Sequence, residues 1–218
     1  MKKKKINIEV PQSWHSVSLK KYLNLQKDIE TYKDDEVALT STLLYHLCDI
    51  EPTIIPQLDV KLLSNIRKDL NSFLNNTEYP LQRFITIGGI EYGFEPDLSN
   101  MSYGAYLDVS KWDKFTIDEN WAYICNVLYR PVEHKSGSLY SIKPYSGNGD
   151  KDKEKWLELD MEFHFGVFFY FITLLTDLFH ATLNYLKKEK NLPPDFHSTL
   201  EESGKVTHQL KHLLAVTS

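Results

Sequence analysis

Apolar positions recur along this chain with two periods, and the switches between them mark out the elements. Ile6, Ile8 and Val10 alternate with polar residues up to Pro11, which predicts a short strand. After Ser13 and Trp14, the spacing of Leu19, Tyr22, Leu23 and Leu25 or Gln26 predicts a helix. Ser16 or Ser18 is its expected cap, with Trp14 folded back on the first turn. A second helix starts at Asp34 and Asp35, whose carboxylates suit the positive end of the dipole. Its apolar face is Val37, Leu39, Leu43, Leu44 and Leu47, and it ends near Asp49, before Pro52. A third, from about Gln57 to Leu74, aligns Leu58, Leu62, Leu63, Ile66, Leu70, Phe73 and Leu74, and Asn75 to Thr77 closes it.

At Pro80 the period drops to two. Phe84 to Ile87, the pair Gly88-Gly89, and Ile90 to Phe94 form the pattern of a β-hairpin, because two glycines supply the positive φ of a tight turn. The same glycines lack the lysine and serine of a phosphate loop. Helical spacing returns over Met101 to Trp112, with Ser99 or Asn100 as cap. It recurs over about Asp118 to Tyr129, with Thr116 or Asp118 as cap and Arg130-Pro131 as the stop. Leu139 to Lys143 predicts a short strand, and Tyr145 to Lys155 an exposed loop.

The most apolar stretch is Met161 to Leu186, which carries no Asp, Glu, Lys or Arg from Phe163 to Thr176. A helix apolar nearly all round is either a domain centre or a membrane span. A span needs about 20 apolar residues, and an aspartate at mid-bilayer costs about 2.5–3.5 kcal/mol. Asp177 and His180 interrupt this run after fourteen residues, which favours a core helix. Beyond Lys187, Asn191-Leu192-Pro193-Pro194 breaks the helix. The polar tail carries one further amphipathic segment, Val206, Leu210, Leu213 and Leu214, suited to folding back on the domain or docking on a partner. The expected fold class is α+β, mainly α-helical: amphipathic helices around a central apolar helix, with a small β-hairpin or sheet. It would occupy residues 1–190, with the hairpin at 84–94, followed by a polar tail over 191–218.

Composition narrows the function classes only slightly. With 42% hydrophobic residues the chain can bury a core, and its net charge of −5 argues against general nucleic-acid binding. The two cysteines, Cys48 and Cys125, sit in apolar-patterned segments and read as buried free thiols in a reducing, cytoplasmic setting. Lys2 to Lys5 precede an alternating stretch rather than a continuous apolar run, so no signal peptide is expected.

Candidate chemistry is sparse. Asp160, Glu162 and His164 alternate; on a strand they would share a face and hold a metal. On a helix Asp160 and His164 lie about 400° apart and face alike, while Glu162 points away. Asp177 and His180 share a helix face, and each pair reads first as a structural one. His208 and His212 have the i, i+4 spacing of metal ligands, but Gln209 stands where a metalloprotease motif has glutamate. No nucleophile elbow, cofactor motif or metal signature is present, so no catalytic, cofactor or metal residues are assigned.

Several segments together resemble a group of small proteins from the tail or structural gene block of tailed phages, described as tail assembly chaperones or as neighbours of unknown role. They are Val10 to Trp14, Phe84 to Leu98, Met101 to Asp108, Leu128 to Val132 and the aromatic run Phe168 to Phe171. The lysine- and tyrosine-rich composition is compatible with a low-GC phage. The resemblance covers most of the chain except the part after Lys187, and carries no active-site residues. It implies a non-enzymatic virion-assembly protein acting by protein–protein binding, with phage tail or head structural proteins as partners and a homo-oligomer as a further option. It implies no specific nucleic acid and no membrane. The location would be the host cytoplasm during assembly, or the virion. The exposed aromatic residues Tyr103, Tyr106 and Trp112 and the tail residues Val206, Leu210, Leu213 and Leu214 are the expected contacts. The alternatives are a permanent virion component, such as a portal or tail ring or a packaged protein, and a small metal-dependent enzyme using Asp160, His164, Asp177 and His180. A membrane-bound accessory protein is a further option.

Overall fold

The computed structural model describes residues 8–74, 79–112 and 116–188. In chain order these form α1 (Leu19–Tyr32), α2 (Glu36–Cys48), α3 (Val60–Leu74), β1 (Phe84–Ile87), β2 (Ile90–Phe94), α4 (Tyr103–Val109), α5 (Trp121–Leu128), β3 (Tyr129–Ser136), β4 (Leu139–Ile142) and α6 (Met161–Lys188). The class is α+β and mainly helical, as the periodicity predicts.

Local chemistry explains most boundaries. The Ser18 hydroxyl accepts the Lys21 N–H at the start of α1, and the Asp35 carboxylate accepts those of Val37 and Ala38 at the start of α2. Asp49 ends α2 in the left-handed conformation, at φ 52°. Asp160 caps α6 by accepting the Phe163 N–H at 3.0 Å.

Two expected caps move. Ser102, not Ser99 or Asn100, caps α4; those two belong to a 3-10 turn, Leu98–Asn100, capped by Asp97. Neither Thr116 nor Asp118 caps α5. That helix follows Asn120, whose side chain makes no capping bond, and Asp118 instead accepts the Asn120 N–H in a turn just before it. Both helices are shorter than their apolar patterns suggest.

The four strands form an antiparallel meander in the order β1-β2-β3-β4. Gly88 and Gly89, at φ 58° and 79°, close the expected hairpin, with Ile87 paired to Ile90. The sheet is larger than expected because Arg130-Pro131 ends α5 without ending regular structure. Pro131 lies in β3 opposite Tyr92, and its carbonyl accepts the Lys143 N–H, so a residue without its own N–H still joins the ladder. A register shift follows between Val132 and His134. The strand expected at Ile6 to Val10 does not form within the described part. Ile8 and Val10 belong to no strand and pack on the core. Ile6 and the Asn75 to Thr77 helix end lie outside the described residues.

The first half of α6 is the centre of the molecule. Met161, Phe163, His164 and Val167 are completely buried. The Phe163 ring stacks 5.9 Å from Trp156 and lies 5.1 Å from Tyr129 of the sheet. On another side Phe165 meets Trp14, which also packs on Phe73 of α3 and on Tyr22 in the first turns of α1. Trp14 thus folds back on α1 as expected, and also ties α1 and α3 to α6. The starts of α1 and α6 are joined through backbone as well: the Met161 N–H donates to Val17 and the Leu19 N–H to Leu159. Gly166 makes close approach possible, since a Cβ there would sit 2.5 Å from the Pro80 carbonyl oxygen.

Candidate partner-binding surface

The polar residues singled out by spacing do not converge. His164 is fully buried and fully used: the Trp121 indole N–H donates to its Nδ1 at 3.0 Å, and its Nε2 lies 2.9 Å from the Trp156 carbonyl oxygen. That pairing fixes the neutral tautomer with the proton on Nε2. Burial draws its pKa down to about 3. Cys125, 3.7 Å from the same Nδ1, is completely buried, and burial pushes its thiol well up.

Asp160 faces the other way. It caps α6 and pairs with the exposed His15 at 3.0 Å, and Glu162 lies close enough that ligand atoms of all three fall within 4.8 Å of one another. The bond to Phe163 and the His15 pair account for Asp160 as a helix-start residue. Asp177 and His180 are exposed on the far half of α6. Seventeen residues separate Asp177 from Asp160, a rise of about 25 Å. The four residues of the enzyme alternative are therefore not brought together. His208 and His212 lie outside the described residues.

The aromatic residues of α4 divide. Tyr103 is 75% and Tyr106 56% exposed, and Leu107 extends their patch. Trp112 is a correction: it is buried, donates its indole N–H to the Thr116 carbonyl, and packs 4.9 Å from Trp121 and 5.6 Å from Phe171. The α4 pattern carries it past the helix end and into the core. Asp108 anchors α4 from below by accepting bonds from Lys111 and from the Tyr145 hydroxyl. These donors hold its carboxyl down to about 2. Val206, Leu210, Leu213 and Leu214 lie outside the described residues.

One exposed apolar feature was not among the expected contacts. The helix Met161–Tyr185 is long and apolar enough to cross a membrane by length and composition, yet most of it is not buried. The buried part is the first half. Past Phe171, α6 separates into two faces. Thr173, Asp177, His180 and Asn184, at steps of four, three and four, make an exposed polar stripe. Opposite them lie Leu174, Leu175, Leu178 and Tyr185, the last two 55% and 64% exposed. Together with Ile172, Phe179 and Leu183 this apolar face spans about 200° of the helix, wider than a coiled-coil seam.

At the root of this outer half is a cleft of about 220 Å³ lined by Leu81, Arg83, Phe94, Glu95, Tyr170 and Leu174 among others. Glu95 is buried and accepts from Arg130, whose Nε has no hydrogen-bond partner. The exposed Arg83 gives the cleft a positive charge beside the apolar stripe, while the buried Glu95 is already paired with Arg130. Nothing local in the sequence pairs Glu95 with Arg130, which meet because β2 lies beside β3. The amphipathic outer half of α6 did have a legible signal, the 4-3-4 spacing of its polar residues.

Comparison of the chain with protein-family models, with curated proteins and with solved structures finds no match.

Proposed function

We propose that this chain is a non-enzymatic virion-assembly protein of the tail assembly chaperone kind, working by binding an unassembled tail or head protein. The observation that carries the reading is the outer half of α6. An apolar face about 20 Å long leaves a well-packed body, and such faces serve as helix-in-groove or helix-on-helix contacts. The chaperone would hold apolar surface of its client on this face until assembly replaces it. The adjoining cleft with Arg83 supplies a charged group at one end, which orients a client without much affecting affinity.

A permanent ring component is a second reading, favoured by the separate patch at Tyr103 and Tyr106. Two different apolar patches on one chain fit a head-to-tail interface, which closes into rings. Size-exclusion chromatography with light scattering, on the chain co-expressed with the virion proteins encoded beside it, separates the readings. A complex of defined stoichiometry with one of them supports the chaperone. A closed homo-oligomer supports the ring. A monomer carrying stoichiometric metal and no partner contradicts both.

A further inference from the structure

We propose that His15, Asp160 and Glu162 form a binding site for one divalent transition-metal ion, where the segment before α1 meets the start of α6. The proposal does not depend on what the client is.

Among the described residues this is the one place where three groups able to ligate a metal come together, with their ligand atoms all within 4.8 Å of one another. The residues belong to two distant parts of the chain. His15 lies in a 3-10 turn, Trp14–Ser16, while Asp160 caps α6 and Glu162 stands in its first turn. Backbone bonds hold these parts together: the Met161 N–H donates to Val17, the Leu19 N–H to Leu159 and the Lys20 N–H to Leu157. The ligands are therefore placed before an ion arrives, which lowers the ordering cost of binding. Asp160 also forms an isolated antiparallel bridge with Ser18, so helical spacing does not govern its direction. That is why Glu162 joins it here while His164 turns into the core.

The start of α6 uses only one of the carboxylate oxygens. The Phe163 N–H occupies Asp160 Oδ1, and Oδ2 faces His15 Nδ1 at 3.0 Å. That separation suits neighbouring ligands of an ion with bonds of about 2.0–2.2 Å. The ion would replace the proton that joins the two atoms. Glu162 is half-buried, yet makes no hydrogen bond or ion pair among the described residues, so its carboxylate is available as the third ligand.

Charge and donor type decide what binds. Two carboxylates outweigh the roughly half unit of positive charge at a helix N-terminus. One imidazole with two carboxylates suits zinc and its neighbours better than magnesium or calcium, which prefer oxygen alone. The His15 side chain is 75% exposed, so further positions on the ion fall to water or to a side chain of a bound partner. The ion would tie the segment before α1 to the central helix.

The test is calorimetric titration of Zn2+ into the full chain after treatment with a chelator. One ion should bind per chain. His15→Ala and Glu162→Gln lie outside the core, and each should weaken binding at least ~10-fold. His208→Ala with His212→Ala removes the other histidines at ligand spacing and should leave binding unchanged. Zn2+ should also raise the melting temperature of the unaltered chain and not that of His15→Ala. Binding lost only in the tail variant would overturn the proposal and assign the ion to the tail. Equal binding by all four chains, or none by the unaltered chain, would overturn it and leave His15 and Asp160 as a simple pair. A monomer that binds zinc through these residues and never a virion protein would support the site and contradict the assembly reading, so the two fail separately.

Discussion

The two halves of α6 are one continuous helix with similar apolar content and opposite circumstances. From Met161 to Phe171 the helix is enclosed by the sheet, α5 and the N-terminal helices, and even its histidine is neutral and hydrogen-bonded on both ring nitrogens. From Ile172 onward the helix has an exposed polar stripe, and Leu178 and Tyr185 on its other side face solvent. Apolar composition alone therefore does not tell core from contact surface. The pattern of polar residues does, because a polar stripe at helical spacing needs water on that side.

Substitutions should expose this difference. Phe163→Ala removes a fully buried ring packed on Trp156 and Tyr129, and should cost about 3–5 kcal/mol in urea unfolding. An equally apolar truncation at the exposed Leu178 should cost less than about 0.5 kcal/mol. If the two costs came out alike, the contrast between the halves would be wrong.

His164 makes the inner half sensitive to acid. Its pKa falls from 6.5 to about 3 on folding, so the folded state resists protonation that the unfolded state accepts. The stabilisation is complete above the unfolded value and is lost as pH falls through 6.5 toward 3. Between pH 7 and pH 5 the loss should be about 2 kcal/mol. The depressed Asp108 carboxyl acts in the same direction, but only below its usual value of 3.8. Comparing urea titrations of the unaltered chain and of His164→Gln at pH 7 and pH 5 isolates the histidine, and an unaltered chain no more sensitive to that window than the variant would contradict its buried neutral state.

Gly166→Ala sharpens the contrast further. In an ordinary helix this change stabilises by about 0.5–1 kcal/mol. Here the new Cβ would lie 2.5 Å from the Pro80 carbonyl oxygen, so destabilisation of about 1–3 kcal/mol is expected from overpacking. A raised melting temperature would show that α6 and the segment before β1 are less tightly joined than the geometry states.

The smallest effect on stability should come from Leu178→Asp, within about 0.5 kcal/mol of the unaltered chain. Under the proposed function its effect on client binding would be the largest of all.

Much of the architecture was legible in the residues. Gly88-Gly89 between alternating runs gave the hairpin, Asp35 and Ser18 marked two helix starts, and the apolar run from Phe163 marked the central helix. The misses have physical reasons. Pro131 reads locally as a stop, yet a strand tolerates proline where the ladder asks for its carbonyl instead of an N–H. Trp112 reads as exposed beside Tyr103 and Tyr106, but the chain turns inward after Val109 and buries it. Ile8 and Val10 alternate as a strand would, but pack on the core outside any strand. As for the candidate site, Tyr103 and Tyr106 are exposed as expected. The outer face of α6 was hidden by treating the whole apolar run as one core element.

The central claim is that α6 holds the body together with one half and binds with the other. It is tested most directly by comparing the unaltered chain with Leu178→Asp in two assays on the same preparation: urea unfolding, and complex formation with co-expressed virion proteins followed by light scattering. The account predicts coincident unfolding curves and loss of the complex in the variant. A complex that survives Leu178→Asp unchanged, or a variant that loses binding only because it unfolds, would contradict it.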